Sequence, residues 1–484
     1  MSIPERTSDS STPDASSEEP RVTPSQNRRA GFTLALGSLG IFVVFLDTTI
    51  VNVAFQAITR SLHSTADQLA WVLNAYSLVF AAALIPAGRL ADRYGRKRLF
   101  LIGSAGFAVT STLCGLAPNS GTLIGARVLQ AAFAALVSPT SLALILPEFP
   151  PRRRPFAIGV WGAMGAVAAA LGPALGALLT QYLSWRWIFL VNVPVCALIV
   201  LFGTRLLRES RNPSDSGMPD PLGAVLIALI PAALSFAVIE GPRWGWSDGR
   251  VVWAFLAAAV LLPFFLWRTR RAAQPVMDLK LFGRPQFRLV SVATLLFAGA
   301  FFGALLANIV FLQTVWHYSV LRSAFAITPG PLMVAVIASI APRLSQKYSP
   351  RHVLSVGALV FAVALSGFAL LIGSEPHWTS HWLPVQLGMG MGIGLTLPVQ
   401  SSAAVQELPP GSLAVGSAIN ASFRQLGAVL GVSLFVALVG EPGPADALDV
   451  FHHVWWLFAA LGAAAGAVLW VERKAFRPAE NDRP

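Results

Sequence analysis

Fourteen apolar runs, each close to the length that crosses a bilayer, follow one another along this chain of 484 residues, and no other feature limits its fold so strongly. They lie at 31–53, 69–90, 98–117, 122–146, 156–180, 185–204, 221–241, 251–267, 288–313, 323–343, 353–373, 381–405, 413–439 and 451–471. About twenty apolar residues span the hydrocarbon core as a helix, and a helix satisfies its own backbone hydrogen bonds there. An all-α integral membrane protein with fourteen transmembrane spans is therefore expected. Composition agrees: 12% of the residues are charged, against about 25% in soluble domains.

The net charge of +12 would suit a nucleic-acid partner, but the distribution of the cations speaks for a membrane. With the N-terminus in the cytoplasm, 28 of the 35 Lys and Arg fall in cytoplasmic segments and five in external loops, while Arg127 and Arg424 lie within spans. That asymmetry follows the positive-inside rule, so no nucleic acid is needed, and an even span count puts both termini in the cytoplasm. Residues 1–30 are rich in Ser, Pro and acids with no apolar core, as in a disordered tail rather than a signal peptide. Cys114 and Cys196 fall inside apolar runs and act as small apolar residues.

A repeat divides the chain. Gly88–Gly103 reads GRLADRYGRKRLFLIG and Pro342–Gly357 reads PRLSQKYSPRHVLSVG, with Arg, Leu, Tyr and the final Gly coinciding at an offset of 254. Each joins two spans on the cytoplasmic side. If the first lies between spans 2 and 3 of one half, the second half starts at span 9. The division is then a tail at 1–30, a six-helix bundle at 31–205, two inserted spans with linkers at 206–287, a second bundle at 288–471 and a tail at 472–484. Duplicated bundles with a site between them are the build of secondary transporters.

Within the spans, Asp47 is the residue that most needs a reason. A membrane-buried carboxyl costs at least a few kcal/mol and is rarely kept without a function; gluing helices by hydrogen bonds would need only an amide. Asp47 sits about 9 Å from the external end of span 1, and Arg127 about 7–8 Å from that end of span 4, at 1.5 Å per residue. The two can therefore communicate, and Arg127 keeps its charge at any working pH. Gln130 lies one turn from Arg127. Asn420, Arg424 and Gln425 form a polar group about 16 Å into span 13, too deep for easy snorkelling, and Asn52 follows Asp47 on span 1. Ala168, Gly172 and Gly176 recur every fourth residue in span 5, a spacing that permits tight helix packing, with Pro173 able to bend the helix.

Motif by motif, the chain resembles the major facilitator superfamily, in particular its fourteen-span drug–proton antiporter branch. GRLADRYGRKR at 88–98 resembles the superfamily's loop signature. LDTTIVNVAF resembles the branch's span-1 signature with Gln56 for a usual proline, and RVLQAAFAA at 127–135 its span-4 signature with Ala131 for a usual glycine. LGPALGALL at 171–179 is similar to the antiporter span-5 signature with Ala177 for its last glycine. The resemblance implies a major facilitator fold of two pseudo-symmetric six-helix bundles plus two inserted helices. It makes Asp47 and Arg127 the proton-coupling pair. It makes Gly88, Asp92, Arg93, Gly95, Arg96 and Lys97 a latch that clamps the opposite half in the outward-facing state, with Gly88 allowing the backbones to approach. The face of Gly172, Pro173 and Gly176 becomes a hinge or seal typical of exporters. The second repeat has Gln346 for Asp92 and Ser349 for Gly95, so the first copy alone is fully equipped.

No phosphate loop, HExxH, GxSxG or metal-spaced His/Cys cluster is present. The expectation is a non-enzymatic exporter of small lipophilic drugs, antibiotics or metabolites in the cell membrane, powered by the proton gradient and needing no cofactor or metal. Such transporters commonly work as monomers. A proton-coupled importer on the same fold and a non-transporting receptor or scaffold are the alternatives. Without a second mid-span acid, dicationic drugs should be handled weakly. Of the aromatic residues that could line a cavity, Phe311 and Trp316 among them, a lipid-facing or interface position is the weightier reading for each.

Overall fold

The computed structural model describes residues 24–150, 153–211, 220–272, 275–276, 279–408, 413–439 and 446–472. Its long helices are α1 (Pro24–Val53), α2 (Ala66–Tyr94), α3 (Arg96–Gly115), α4 (Ser120–Ile145), α5 (Arg154–Tyr182), α6 (Asn192–Leu206), α7 (Pro221–Trp244), α8 (Gly249–Arg271), α9 (Pro285–Thr314), α10 (Pro329–Tyr348), α11 (Pro350–Leu371), α12 (Leu383–Val405), α13 (Leu413–Val439) and α14 (Ala447–Val468). No strand occurs among the described residues.

Twelve helices among the described residues are long and apolar enough to cross a membrane, fewer than the fourteen expected. The difference lies in α2 and α5. In α2 the described apolar stretch is Gln68–Leu84, because the side chains of residues 66, 67 and 85 lie outside the described residues. Helix α5 runs for 29 residues, but several of its side chains lie outside the described residues.

Helices α1–α6 pack on one another, and so do α9–α14. In both groups the first and fifth helices approach through glycine. A Cβ on Gly176 of α5 would sit 2.9 Å from the Ile50 carbonyl oxygen of α1, and one on Gly427 of α13 would sit 3.1 Å from the Gly299 nitrogen of α9. The two sequence repeats share a backbone conformation as well. Gly95 turns with φ 114° and ψ 128°, and Ser349, 254 positions later, with φ 74° and ψ 142°.

The two groups meet unequally at their ends. At the end carrying Ile58, Leu69 and Phe189, the first group shares one continuous apolar core with Leu305, Phe311, Trp316, Trp382 and Phe435 of the second. At the end carrying the 88–98 loop each group has a core of its own, with Leu36, Phe80, Phe100 and Leu144 in the first and Leu289, Leu354 and Val399 in the second, and a smaller cluster joins them through Ala82 of α2 and Ile419 of α13. There α7 lies against α2 and α13, which also touch each other: Leu226 and Ile227 pack with Ala82 of α2 and Ile419 of α13, and Ser422 Oγ of α13 donates to the Ala81 carbonyl at 3.0 Å. One end thus shares a single continuous core, while at the other the groups meet along α2 and α13. Phe311 and Trp316 belong to the closed core, where both are buried beside Trp382, which corrects their expected lipid or interface position.

Candidate functional site

Asp47 sits in the last third of α1, buried away from water. Four other helices of the first group supply what water would have. Arg127 of α4 pairs its Nη1 with Asp47 Oδ2. The Oδ1 atom accepts from Gln130 Nε2 at 3.0 Å and from Asn192 Nδ2, at the start of α6, at 3.1 Å. Gln130 extends the network: its Nε2 also donates to Ser111 Oγ of α3 at 2.8 Å, and its Oε1 accepts from Arg127 Nη1 at 2.7 Å. Arg127 Nε donates to the Val72 carbonyl of α2 at 3.3 Å.

The pair is sealed. Asp47 is 0% exposed and Arg127 1%, and Gln130, Asn192, Ser111 and Cys114 are all buried. The Arg127 guanidinium carbon lies 4.0 Å from the centre of the Tyr76 ring and 5.7 Å from that of Phe189, so aromatic faces cover the cation where hydrogen bonds do not. A buried ion pair holds its charges only when the remaining donors and lone pairs are also satisfied. One acceptor beside the carboxylate stays idle: the Asn192 Oδ1 atom is buried without a hydrogen-bond partner. An unused acceptor at that place is the group that a proton on the carboxylate would need.

The expected pair of Asp47 and Arg127 thus comes together with Gln130 as a third member. Asn192, Ser111 and Tyr76 are members that sequence reasoning missed. Their only signal is a polar atom inside an apolar run, which many structural Ser and Asn residues share. Asn52 does not join; its Nδ2 donates back to the Thr48 and Thr49 carbonyls of its own helix at 3.1 and 3.3 Å. Asn420 is also elsewhere, donating to Thr294 Oγ1 of α9 at 3.0 Å. Arg424 is half-buried and Gln425 buried on the same helix.

Gly172 and Gly176 of α5 press on α1 one turn beyond Asp47. A Cβ on Gly172 would lie 3.2 Å from the Ile50 nitrogen and collide with the Thr49 hydroxyl; one on Gly176 would lie 2.8 Å from Ile50 Cγ1. Pro173 is inside α5 between them. This face therefore fixes the helix that carries the acid.

The 88–98 loop makes a different set of contacts from the expected clamp. Glu209, in the segment after α6, accepts from the Lys97 and Arg98 backbone nitrogens at 3.0 and 3.1 Å. A carboxylate thus caps the free N–H groups at the start of α3, where the helix dipole favours an anion. Gly95 is required twice over: its φ is positive, and a Cβ there would lie 2.6 Å from the Glu209 carboxylate. Lys97 Nζ donates to the Thr204 carbonyl at 2.7 Å, Arg96 Nη1 to that of Ala143 at 3.4 Å, and Arg89 Nη2 to that of Pro275 at 3.2 Å. Arg93 lies over the ring of its neighbour Tyr94. None of these acceptors lies on a helix of the second group. Gly88 is not needed for close approach here, since the nearest atom to its missing Cβ is 3.9 Å away. The Asp92 side chain lies outside the described residues.

Residues 37–432 match the family model described as Major Facilitator Superfamily. Among curated proteins, the chain is 35% identical over 430 residues to a tetracenomycin C resistance and export protein of Streptomyces glaucescens, covering 87% of this chain and 78% of that one. It is 36% identical over 412 residues to the multidrug resistance protein Stp of Mycobacterium tuberculosis, covering 84% and 75%. With a puromycin resistance protein of Streptomyces alboniger it shares 35% identity over 454 residues, covering 88% and 87%. Among solved structures, an auto-inhibited POT family peptide transporter superposes with a TM-score of 0.67 at 16% identity over 94% of this chain and 99% of that one. The inward-open xylose transporter XylE from E. coli does so with a TM-score of 0.63 at 12% identity over 94% and 98%. At these identities the solved structures speak for the fold alone.

Proposed function

The chain belongs to the major facilitator superfamily, and from that premise we propose that it is a proton-coupled exporter of small lipophilic drugs, antibiotics or metabolites in the cell membrane. The observation that carries the reading is the sealed Asp47–Arg127 pair, an ionisable acid at membrane depth with its counter-ion and an idle acceptor beside it. Drug resistance and export in the names of the relatives support the direction. With the basic loops in the cytoplasm, both termini lie inside, and α2 and α5 complete fourteen crossings in a six, two and six arrangement. Their length of 29 residues each supports this count.

In the cytoplasm-facing state of the cycle, Asp47 is ionised and held by Arg127, ready for cargo. When the groups rock, the external end parts, and water reaches the network from outside. A proton arriving there neutralises Asp47 and releases Arg127, and the Asn192 amide turns to offer Oδ1 to the new O–H. Return to the cytoplasm-facing state restores the ion pair and expels the proton inward. The Gly172–Pro173–Gly176 face transmits this rocking to α1. The 88–98 loop engages the second group as a latch only when the cytoplasmic end closes. A single copy contains all of these parts.

Everted membrane vesicles containing the full chain, energised by respiration and probed with a pH-sensitive dye, test this reading. Added tetracenomycin C should release protons through the wild type, and Asp47→Asn should abolish the release. Substrate-induced release that persists in Asp47→Asn refutes the mechanism.

A further inference from the structure

The charges inside the two helix groups do not balance. Away from the helix ends they hold two arginines, Arg127 and Arg424, and one acid, Asp47. Arg127 consumes that acid. Arg424 forms no hydrogen bond, ion pair or ring contact among the described residues, in contrast to the buried arginine of the first group. It lies eleven residues into α13, about 16 Å from the start of that helix, beyond the reach of easy snorkelling.

Its direction follows from its neighbours. One turn earlier, Asn420 bonds to Thr294 of α9. Ala421 packs on the edge of the first group's core, to which the half-buried Leu39 and Phe42 of α1 also belong. At 100° per residue, Arg424 projects between these two directions, toward the place where α9 faces the first group. That place lies in the half of the molecule where the two groups keep separate cores. A guanidinium held there without a carboxylate needs water or a ligand for its charge.

We propose that Arg424 is the counter-ion of the cargo, and that the site between α13, α9 and the first group selects lipophilic organic anions: carboxylates, sulfonates or ionised phenols. The planar guanidinium fork matches such oxygens bidentately, while Leu39 and Phe42 offer the apolar body a surface. The proposal rests on the export reading for calling the ligand cargo, but the site itself is testable without transport.

Three probes of one shape and different charge decide it: anthracene-9-carboxylate, anthracene-9-carboxamide and 9-anthracenemethylammonium. Each is titrated against the full chain in phosphatidylcholine proteoliposomes, read by energy transfer from tryptophan after subtraction of protein-free vesicles. The wild type should bind the carboxylate at least about tenfold more tightly than the carboxamide, the scale of a charge-assisted hydrogen-bond pair, and the ammonium probe least tightly of the three. Arg424→Gln should remove that preference while the carboxamide still binds, and Arg424→Lys should restore part of it. A wild type without the preference, or a preference that survives Arg424→Gln, overturns the proposal. So does displacement of the carboxylate by chloride replacing gluconate at about 0.1 M, which would make the occupant a small inorganic anion. If Arg424→Gln loses carboxamide binding as well, Arg424→Lys decides: a partial preference there supports the proposal, and its absence overturns it. Asp47→Asn should keep the anion preference, so a failure of proton coupling and a failure of this site read out separately.

Discussion

Removing Arg127 should cost more than removing Arg127 and Asp47 together would suggest. In Arg127→Met the Asp47 carboxylate, 0% exposed, keeps only the amides of Gln130 and Asn192 at 3.0 and 3.1 Å. Leaving a buried charge without its partner costs about 3–5 kcal/mol. Asp47→Asn should cost less, about 2–3 kcal/mol, since the stranded guanidinium keeps Gln130 Oε1, the Val72 carbonyl and the Tyr76 face. In the double variant neither charge is left alone, so its loss should fall short of the sum of the single losses by at least about 2 kcal/mol. Equilibrium unfolding of the purified chain and its three variants in mixed detergent micelles measures this cycle. Losses that add to within about 0.5 kcal/mol would mean that the two side chains do not hold each other in the membrane, and the sealed pair would be refuted.

Asn192→Leu should slow substrate-linked proton release several-fold with substrate binding unchanged, because it deletes both a donor to Asp47 and the idle Oδ1; vesicle proton release and equilibrium binding read the two effects. Gly95→Ala should destabilise the chain by at least about 1 kcal/mol through its positive φ and the nearby Glu209, whereas Ser349→Gly, at the matching turn, should stabilise it by about 1 kcal/mol; thermal melts compare them. Asp220 caps α7 and accepts from Arg268 Nε and Nη2 at 3.0 Å each. The Arg268 hydrogen bonds hold its carboxyl below the usual range. Because the folded value is depressed, its contribution is present above about pH 4 and is lost as the pH falls through the folded value. Asp220→Asn should therefore lower the melting temperature at pH 7, and the gap from wild type should close on acidification below pH 4.

Helix positions were legible in the sequence because lipid forces a simple code: an apolar run is a helix, and basic residues mark one side. The likeness of Asp47 and Arg127 in depth was readable from the helical rise, and the Gly172 face from its spacing of four. What could not be read were partners set by rotation of one helix against another. Asn192 lies 145 residues from Asp47 and Ser111 lies 64 away, and their side chains are no rarer in apolar runs than idle ones. Glu209 was hidden for a related reason: among Arg205, Arg208 and Arg211 it looks like a solvated acid, and only the fold brings it to the first turn of α3.

The central claim is that Asp47 carries the proton that drives transport. Its most direct test is uphill accumulation, in proteoliposomes under an imposed pH gradient, of a radiolabelled compound whose addition releases protons from the everted vesicles, beside exchange of the same compound with no gradient. The wild type should accumulate the compound against its concentration only when the gradient is present. Asp47→Asn should exchange it at a comparable rate yet never concentrate it. Gradient-driven accumulation by Asp47→Asn equal to that of the wild type would contradict the account.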